Sequence, residues 1–240
     1  MAKCKWMVFI LGFASVASMG QLAAEEPLRV LILSGCPTYK SEESLPPFQQ
    51  WLEANYNVTC ERLTHNGQEF PSLEKLDHCD VLFVFFKRLG LQGEQLEQFK
   101  KYVTSGKPVV GVRTASHAVQ TWLDFDREVL GGNYQGHYDA GLPCNLKARA
   151  GAEQHPILQG VELPTVKDAL YKNAGHSDDI NVLFDGDITG QSPEIVAWTR
   201  ERNGGRVFYT SLGAPDTFEL PGFRRMLANA LFWTAKRAPK

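Results

Sequence analysis

The alternation of short apolar runs with segments of helical spacing is the feature that most constrains the fold of this chain. Residues 28–34, 80–86 and 108–112 are almost continuously apolar, which is typical of strands buried on both faces of a sheet. Residues 45–54 and 94–104, which lie between these runs, carry apolar side chains at the spacing of amphipathic helices. Strand and helix units repeated in this order predict parallel strands joined by right-handed crossovers, which is the doubly wound α/β class.

The rest of the chain adds two strands to the parallel set and several shorter ones. Residues 57–63 and 206–211 are further candidates for the mostly parallel sheet. Shorter strands or hairpins are predicted at residues 145–150, 169–172, 182–184 and 195–199. An Asn-Gly-Gly turn at 203–205 predicts a hairpin with the strand at 206–211, and an amphipathic helix over 222–236 ends the chain. Because no Pro- or Ser-rich linker divides the sequence, we predict one domain.

The N-terminus has the pattern of an export signal. Lys3 and Lys5 precede the apolar segment 6–16, and small residues follow it. This segment is shorter than the roughly 20 residues that span a bilayer, which favours a cleaved peptide over an uncleaved anchor. We therefore predict a signal peptide at 1–24 and a mature domain at 25–240. The mature protein would be periplasmic or secreted, without stable membrane insertion.

Composition and motifs argue against several classes of function. A net charge of −2 over 240 residues gives no clustered basic surface, so no nucleic-acid partner is expected. The chain has no P-loop, GxGxxG or GxSxG pattern, so nucleotide, dinucleotide and hydrolase interpretations lose their usual support. The histidines lack metal-binding spacings, and His176 with Asp178 and Asp179 is better explained as an ordinary turn, so no metal site is predicted. The sequence identifies no cofactor.

Polar residues after the predicted strands indicate where a ligand binds, because open parallel sheets bind ligands beyond the carboxyl ends of their strands. Arg113, Thr114 and His117 follow the strand at 108–112. Arg113 has the chemistry to clamp an anion or a carbonyl, and His117 to serve as a general base or to accept a sugar hydroxyl. The alternative is a structural ion pair for Arg113, a capping role for Thr114 and a satisfied buried imidazole for His117.

A Gly-rich loop at 131–138 supplies the second group of polar side chains. Asn, Tyr, Gln and His side chains with flat faces suit a carbohydrate, and the glycines let the loop approach a ligand closely. The alternative is an ordinary hairpin. We predict that Arg113 and His117 share a pocket with residues 133–137 and with the turn 214–216. The predicted catalytic residues are His117, Arg113 and Asp216, and the predicted substrate-binding residues are Asn133, Tyr134, His137, Tyr171 and Thr114.

Taken together, several segments resemble the ThuA-like (trehalose utilisation) family. These are GKPVVGVRTASHA at 106–118, REVLGGNYQGHY at 127–138, HPIL at 155–158, VAWTRERNGGRVFYTSLGAPDTF at 196–218 and FRRMLANALFW at 223–233. The resemblance covers about residues 27–237. It implies a place in the class I glutamine-amidotransferase-like superfamily, with a flavodoxin-like three-layer sandwich and a few extra hairpin strands. It also implies a part in carbohydrate utilisation.

The chain departs from the superfamily pattern at the nucleophile. Arg113 stands near the position where true amidotransferases carry a catalytic Cys. Ala214 stands at the position of the partner His, and Asp216 stands near that of the Glu. Since the Cys–His pair is missing, we expect no glutamine amidotransferase activity.

Two hypotheses for function stay open at this stage. The first is an enzyme that acts on sugars or keto-sugar derivatives, with proton transfer at His117 or His137 and a carbonyl polarised by Arg113. The second is a non-catalytic module that binds carbohydrate or a partner on the same scaffold. The expected ligand is a small carbohydrate, and association with further copies of the chain is left open. The titration of His117 discriminates between the hypotheses, because a catalytic base is expected to titrate near neutral pH.

Overall fold

The computed structural model describes Met1 and residues 26–239, and the central element there is a sheet of eight strands. The predicted signal peptide lies outside the described residues apart from Met1. The strands are β1 (Leu28–Gly35), β2 (Val58–Thr64), β3 (Val81–Phe86), β4 (Val109–Val112), β5 (Tyr134–His137), β6 (Asn145–Ala148), β7 (Tyr171–Asn173), β8 (Ile180–Asp187), β9 (Glu194–Arg202) and β10 (Gly205–Thr210). The helices are α1 (Ser41–Asn55), α2 (Gly93–Thr104), α3 (Pro215–Phe218) and α4 (Pro221–Thr234).

The sheet has a parallel part and an antiparallel part. Its strand order is β2-β1-β3-β4-β10-β9-β8-β6. The pairings from β2 to β10 are parallel, and those from β10 to β6 are antiparallel. Strands β5 and β7 form a separate antiparallel pair. The hairpin predicted around the Asn-Gly-Gly turn is confirmed as β9 and β10.

Helices cover the parallel part on both faces because its central strands β3 and β4 are apolar on both. Phe48 of α1 and Leu227 of α4 pack in one core with Phe83 of β3. Phe99 of α2 packs in the other core with Val84, the next residue of β3. All six residues of β3 are buried, as its unbroken apolar sequence predicts. The prediction of a flavodoxin-like three-layer α/β fold with extra hairpin strands is therefore confirmed.

The segments that follow β3 and β4 continue side by side past the end of the sheet. Leu89 bridges to Val119 in parallel, and its N–H donates to the Ala118 carbonyl at 2.7 Å. Thr114 ties the same region together, since its hydroxyl donates to the Phe86 carbonyl at 2.8 Å. Arg113–His117 form a short 3-10 helix in place of a regular helix directly after β4. This pairing fixes the carboxyl edge of the sheet.

No helix in the part of the chain that the structure describes has the length and apolar character to cross a bilayer.

Candidate functional site

Arg113 occupies a sharp turn directly after β4, with φ at 48° in the left-handed region. The turn sends its side chain into the protein, where the exposed fraction is 0%. Its Nη1 donates to the Ser211 carbonyl at 2.5 Å and lies 3.3 Å from a carboxylate oxygen of Asp168, while Nη2 donates to the Ala169 carbonyl at 3.2 Å. Both terminal nitrogens are thus committed to the protein itself.

Two tyrosine rings enclose the guanidinium of Arg113. Its central carbon lies 3.9 Å from the ring centre of Tyr39 and 4.8 Å from that of Tyr171. Burial opposes the charged form, but Tyr171, Asp168 and Tyr39 together outweigh it and raise the pKa of Arg113 above its ordinary value. The side chain is a charged support beneath the edge of the sheet, and its burial argues against direct contact with a ligand carbonyl.

Asp168 is the carboxylate that organises this edge, and sequence reasoning missed it. It accepts the N–H groups of Gly213 and Ala214 at 2.7 and 2.9 Å and the hydroxyl of Thr217. It therefore holds the turn after β10 and the buried Arg113 at once. The signal it offers in the sequence is an acidic residue directly before the apolar strand candidate 169–172.

His117 lies in this network as a neutral ring. The hydroxyl of Ser116 donates to the Arg113 carbonyl at 3.3 Å, and we therefore assign the ring proton of His117 to Nδ1, which lies 3.0 Å from the same hydroxyl. Nε2 is then an acceptor, and it has no hydrogen-bond partner among the described residues. Burial, followed by the charges of Arg88 and Lys87, lowers the pKa of His117 to about 3. The ring is a good acceptor and a weak base.

Tyr134 covers the ring of His117. The two ring centres are 4.4 Å apart and nearly parallel, and the Tyr134 ring also lies 4.6 Å from the buried Tyr171. His137 reaches the same cluster, with its ring centre 6.4 Å from that of Tyr171. Because Tyr134 and Tyr39 are only partly buried, part of each side chain is exposed at the surface of the cluster.

A buried carboxyl fixes the position of Tyr134. Its N–H donates to Oδ2 of Asp126 at 2.8 Å, while Oδ1 of Asp126 is buried without a partner. Burial raises the pKa of Asp126 to about 7. A side chain at Gly132 would place its Cβ 2.5 Å from Oδ1 of Asp126, so only glycine fits there. This close approach explains why the predicted loop is rich in glycine.

The structure brings most of the predicted site residues to one edge of the sheet but places them at different depths in the protein. His117, Tyr134 and His137 form the outer cluster, and Tyr171 lies beneath it, 1% exposed. Among the remaining residues, Asn133 donates to the Ala174 carbonyl at 2.5 Å and Thr114 is buried below the turn. Asp216, the third predicted catalytic residue, is exposed on α3, and its carboxylate makes no hydrogen bond with another described residue.

Two cations line the rim of the same cluster. Lys87 Nζ donates to the Thr38 hydroxyl at 2.8 Å. Arg88 is exposed, and its N–H donates to the His117 carbonyl at 3.2 Å. Among the described residues, no three His, Cys, Asp or Glu side chains are placed to hold a metal ion. The chemistry available at this edge is therefore aromatic contact, hydrogen bonding and positive charge.

A cavity of about 830 Å³ lies at the opposite edge of the sheet, where the strands begin. Leu28, Asp80 and Pro108 are part of its lining. The Asp80 carboxylate there is already paired with Arg29 at 2.7 Å. Two of the charged side chains that line this cavity are thus already paired with each other. We therefore place the candidate site at the carboxyl edge.

Comparisons with known proteins agree with this architecture. The family model ThuA, described as trehalose utilisation, matches residues 29–234. A ThuA-like protein from Parabacteroides merdae shares 19% identity at a TM-score of 0.70, over 88% of this chain and 90% of its own. A second ThuA-like protein, from Bacteroides uniformis, shares 16% identity at a TM-score of 0.69, over 90% of this chain and 94% of its own. A cytoplasmic protein from Salmonella typhimurium shares 16% identity at a TM-score of 0.61, over 86% of this chain and 99% of its own. Comparison with curated protein sequences gives no match.

Proposed function

Since the chain belongs to the ThuA family, we propose that it binds sugars or keto-sugar derivatives at the carboxyl edge of its sheet and acts on them in carbohydrate utilisation. The observation that carries the proposal is the stack of Tyr134 on His117, with ring centres 4.4 Å apart. Flat aromatic faces beside hydrogen-bonding groups suit the alternating apolar and hydroxyl surfaces of a sugar.

Each residue has a distinct part in this proposal. His117 accepts a sugar hydroxyl or an acidic proton through Nε2, because its Nδ1 is bound to Ser116. Tyr134 packs against the ring of the ligand, and exposed His137 offers a second polar contact. Arg113 supports the site from below through its ion pair with Asp168. In this arrangement Arg113 is a positioning residue, and the carbonyl-polarising role falls to the exposed cations of the rim.

The proposal excludes glutamine hydrolysis. The position near the amidotransferase nucleophile is Arg113, which keeps the sharp left-handed turn of such a site but offers no thiol. Cys36 follows a different strand, β1. Burial raises the pKa of Cys60 to about 12 and that of Cys144 to about 11, so neither thiol is poised to form a nucleophilic thiolate near neutral pH.

Binding without turnover is the second candidate, and one observation favours it. A pKa of about 3 makes His117 a poor general base near neutral pH, whereas it does not weaken the ring as an acceptor. A non-catalytic carbohydrate- or partner-binding module needs only the acceptor.

A thermal-shift screen of the purified protein tests the proposal. Trehalose, other disaccharides and their 3-keto forms are compared, with divalent metals as a separate arm. We expect a keto-disaccharide or its parent sugar to raise the melting temperature, and Tyr134→Ala to abolish the rise. Tyr56→Ala is the matched control, since the partly buried Tyr56 precedes β2 at the opposite edge. Absence of any shift with the whole sugar panel contradicts the proposal.

Turnover is then measured on the sugar that binds. Proton NMR in D₂O follows exchange next to the keto group and cleavage of the glycosidic bond. Exchange or cleavage that His117→Gln abolishes supports the enzyme. Tight binding with an unchanged spectrum supports the binding module.

We also propose that the protein is exported and works in the periplasm or outside the cell. The support is the charged and apolar pattern of residues 1–24. Mass spectrometry of the exported protein tests it, and we expect a mature start between residues 21 and 26. A full-length mass in the membrane fraction contradicts it.

A further inference from the structure

The rim of the site carries positive charge that no described acid neutralises. Lys87 donates to the hydroxyl of Thr38, which is uncharged, and Arg88 is exposed. Neither side chain forms an ion pair within 4.0 Å in the part of the chain that the structure describes. Lys87 and Arg88 are consecutive in the sequence, so this rim carries two positive charges that are available to an anion.

The backbone of Arg88 gives an independent observation. Its φ is 52°, in the left-handed region where glycine is the least costly residue. The hydrogen bonds of the Arg88 and Leu89 N–H groups to His117 and Ala118 hold this conformation. Non-glycine residues in strained conformations are concentrated at ligand-binding and catalytic sites. The strained backbone therefore places a charged residue next to the His117 backbone, at a position where glycine costs the fold less.

The acids near this edge leave the positive charge in place. Asp168 is neutralised by Arg113 in a fully buried pair. Burial raises the pKa of Asp126 to about 7, and its carboxyl lies below the loop. Asp216 is exposed on α3 and pairs with neither Lys87 nor Arg88 within 4.0 Å. The field of the two rim cations reaches His117, whose pKa is lowered first by burial and then by Arg88 and Lys87.

We propose that the site takes an anionic sugar derivative, whose carboxylate or phosphate is held by Lys87 and Arg88 while its ring lies against Tyr134. This inference rests on the proposed function and narrows its ligand class. An arginine binds such a group through two parallel N–H donors, and a lysine adds a point charge. The neutral His117 beside them accepts a hydroxyl of the same ligand without adding charge.

Isothermal titration calorimetry with two matched pairs of ligands tests the inference. Trehalose is compared with trehalose 6-phosphate, and glucose with glucuronate, on the full protein at low and high salt. We expect at least one anionic member to bind about tenfold or more tighter than its neutral partner, as charge-assisted hydrogen bonds allow. High salt weakens this preference because the cations are exposed. The pair that shows the preference identifies the source of the charge as phosphate or carboxylate.

Charge-removing variants locate the preference. Arg88→Met and the double variant with Lys87→Met are expected to remove most of it, so that the anionic and neutral members bind within about twofold of each other. Lys101→Met on the exposed face of α2 is the matched control and leaves the preference intact. Circular dichroism and melting temperature confirm that each variant is folded before it is compared.

The outcomes separate this inference from the proposed function. If the neutral sugars bind as tightly as both anionic partners, the inference of an anionic ligand is wrong, while the proposal of sugar binding is still supported. A preference that survives in the folded double variant overturns the role of Lys87 and Arg88. Failure of all four ligands and of the wider sugar panel to bind overturns both proposals.

Discussion

Arg88 and Arg113 follow neighbouring parallel strands and share a left-handed backbone, with φ at 52° and 48°, yet their side chains have opposite surroundings. Arg113 is completely buried between two tyrosines and paired with Asp168. Arg88 is exposed and lacks an ion pair among the described residues. The same residue type in the same backbone conformation is a structural support in one case and a free charge in the other.

The difference shows where a charged side chain can still act on a ligand. A buried charge needs an internal partner, because desolvation costs several kcal/mol or more per unpaired ion. Once Arg113 is paired with Asp168, its charge serves the fold. The charge of Arg88 costs little to keep in water and stays available. His117 lies close enough to both arginines for each to lower its pKa, after the larger effect of burial.

The largest expected effect comes from breaking the buried pair. Arg113→Met leaves Asp168 charged and buried without a counterion, and we expect a loss of about 3–5 kcal/mol in the free energy of unfolding. Urea denaturation measures it. The turn after β10 also loses order, since Asp168 holds both Gly213 and Ala214.

A double variant sharpens this prediction. Asn at position 168 keeps an acceptor for the two backbone N–H groups while removing the charge. Arg113→Met combined with Asp168→Asn is therefore expected to cost less than the sum of the two single changes. Strict additivity would show that the two side chains do not stabilise each other.

The second effect is a pH dependence that originates at His117. Its folded pKa is about 3 and its ordinary value 6.5, so the unfolded chain binds the proton more tightly. Stability from this group is present above about pH 6.5 and is lost as the pH falls towards about 3. Relative to His117→Gln, we expect the native protein to lose on the order of 3 kcal/mol over that range.

Urea unfolding of both proteins at several pH values checks the prediction for His117. The difference between the two curves isolates this group from the other carboxylates and histidines. A constant difference from about pH 6.5 to 3 would mean that His117 is solvated and protonates freely. The weak-base argument would then fail.

A third effect, of opposite sign, arises at Asp126. Burial raises the pKa of Asp126 from 3.8 to about 7, so the stability it contributes is present below about pH 3.8 and is lost as the pH rises through about 7. Asp126→Asn keeps an acceptor for the N–H of Tyr134. As the pH rises over this range, we expect the free energy of unfolding of the variant to increase by on the order of 2 kcal/mol relative to that of the native protein. Urea unfolding of both proteins at several pH values measures this difference. A variant whose stability falls relative to the native protein as the pH rises contradicts the prediction.

The sequence predicts the parallel half of the fold well because strands that are buried on both faces appear in it as continuous runs of apolar residues. The strand bounds 28–34 and 80–86 differ from β1 and β3 by one residue at an end. The edge that carries the site follows from the same strands. The rule that ligands bind beyond strand ends, together with loop composition, predicts that His117, Tyr134 and His137 lie at this edge, and the structure places them there, while their roles stay predictions.

The partners of these residues leave no local record. Asp168 lies 55 residues from Arg113, and no motif links them. Tyr39 follows β1 at the same edge, and its contact with the distant Arg113 distinguishes it from an ordinary surface tyrosine. Whether an arginine after a strand is buried or exposed depends on such distant contacts, so the roles of Arg113 and Asp216 were beyond local reasoning.

The smallest expected effect is that of Arg88→Gly, which is compared with Arg113→Gly. Glycine relieves the left-handed backbone at either site, which is worth about 1 kcal/mol before the entropy gained by the unfolded chain offsets part of it. At Arg88 no buried contact is lost, so Arg88→Gly is expected to leave the free energy of unfolding unchanged or raise it by up to about 0.5 kcal/mol. At Arg113 the same relief is overwhelmed, because Asp168 is left unpaired and the space between Tyr39 and Tyr171 is emptied. Urea unfolding of the two variants side by side gives no loss of stability for Arg88→Gly and a clear loss for Arg113→Gly if the side chain of Arg88 is held for a ligand and that of Arg113 for the fold. Destabilisation of Arg88→Gly by more than about 1 kcal/mol would show that Arg88 has a structural partner after all.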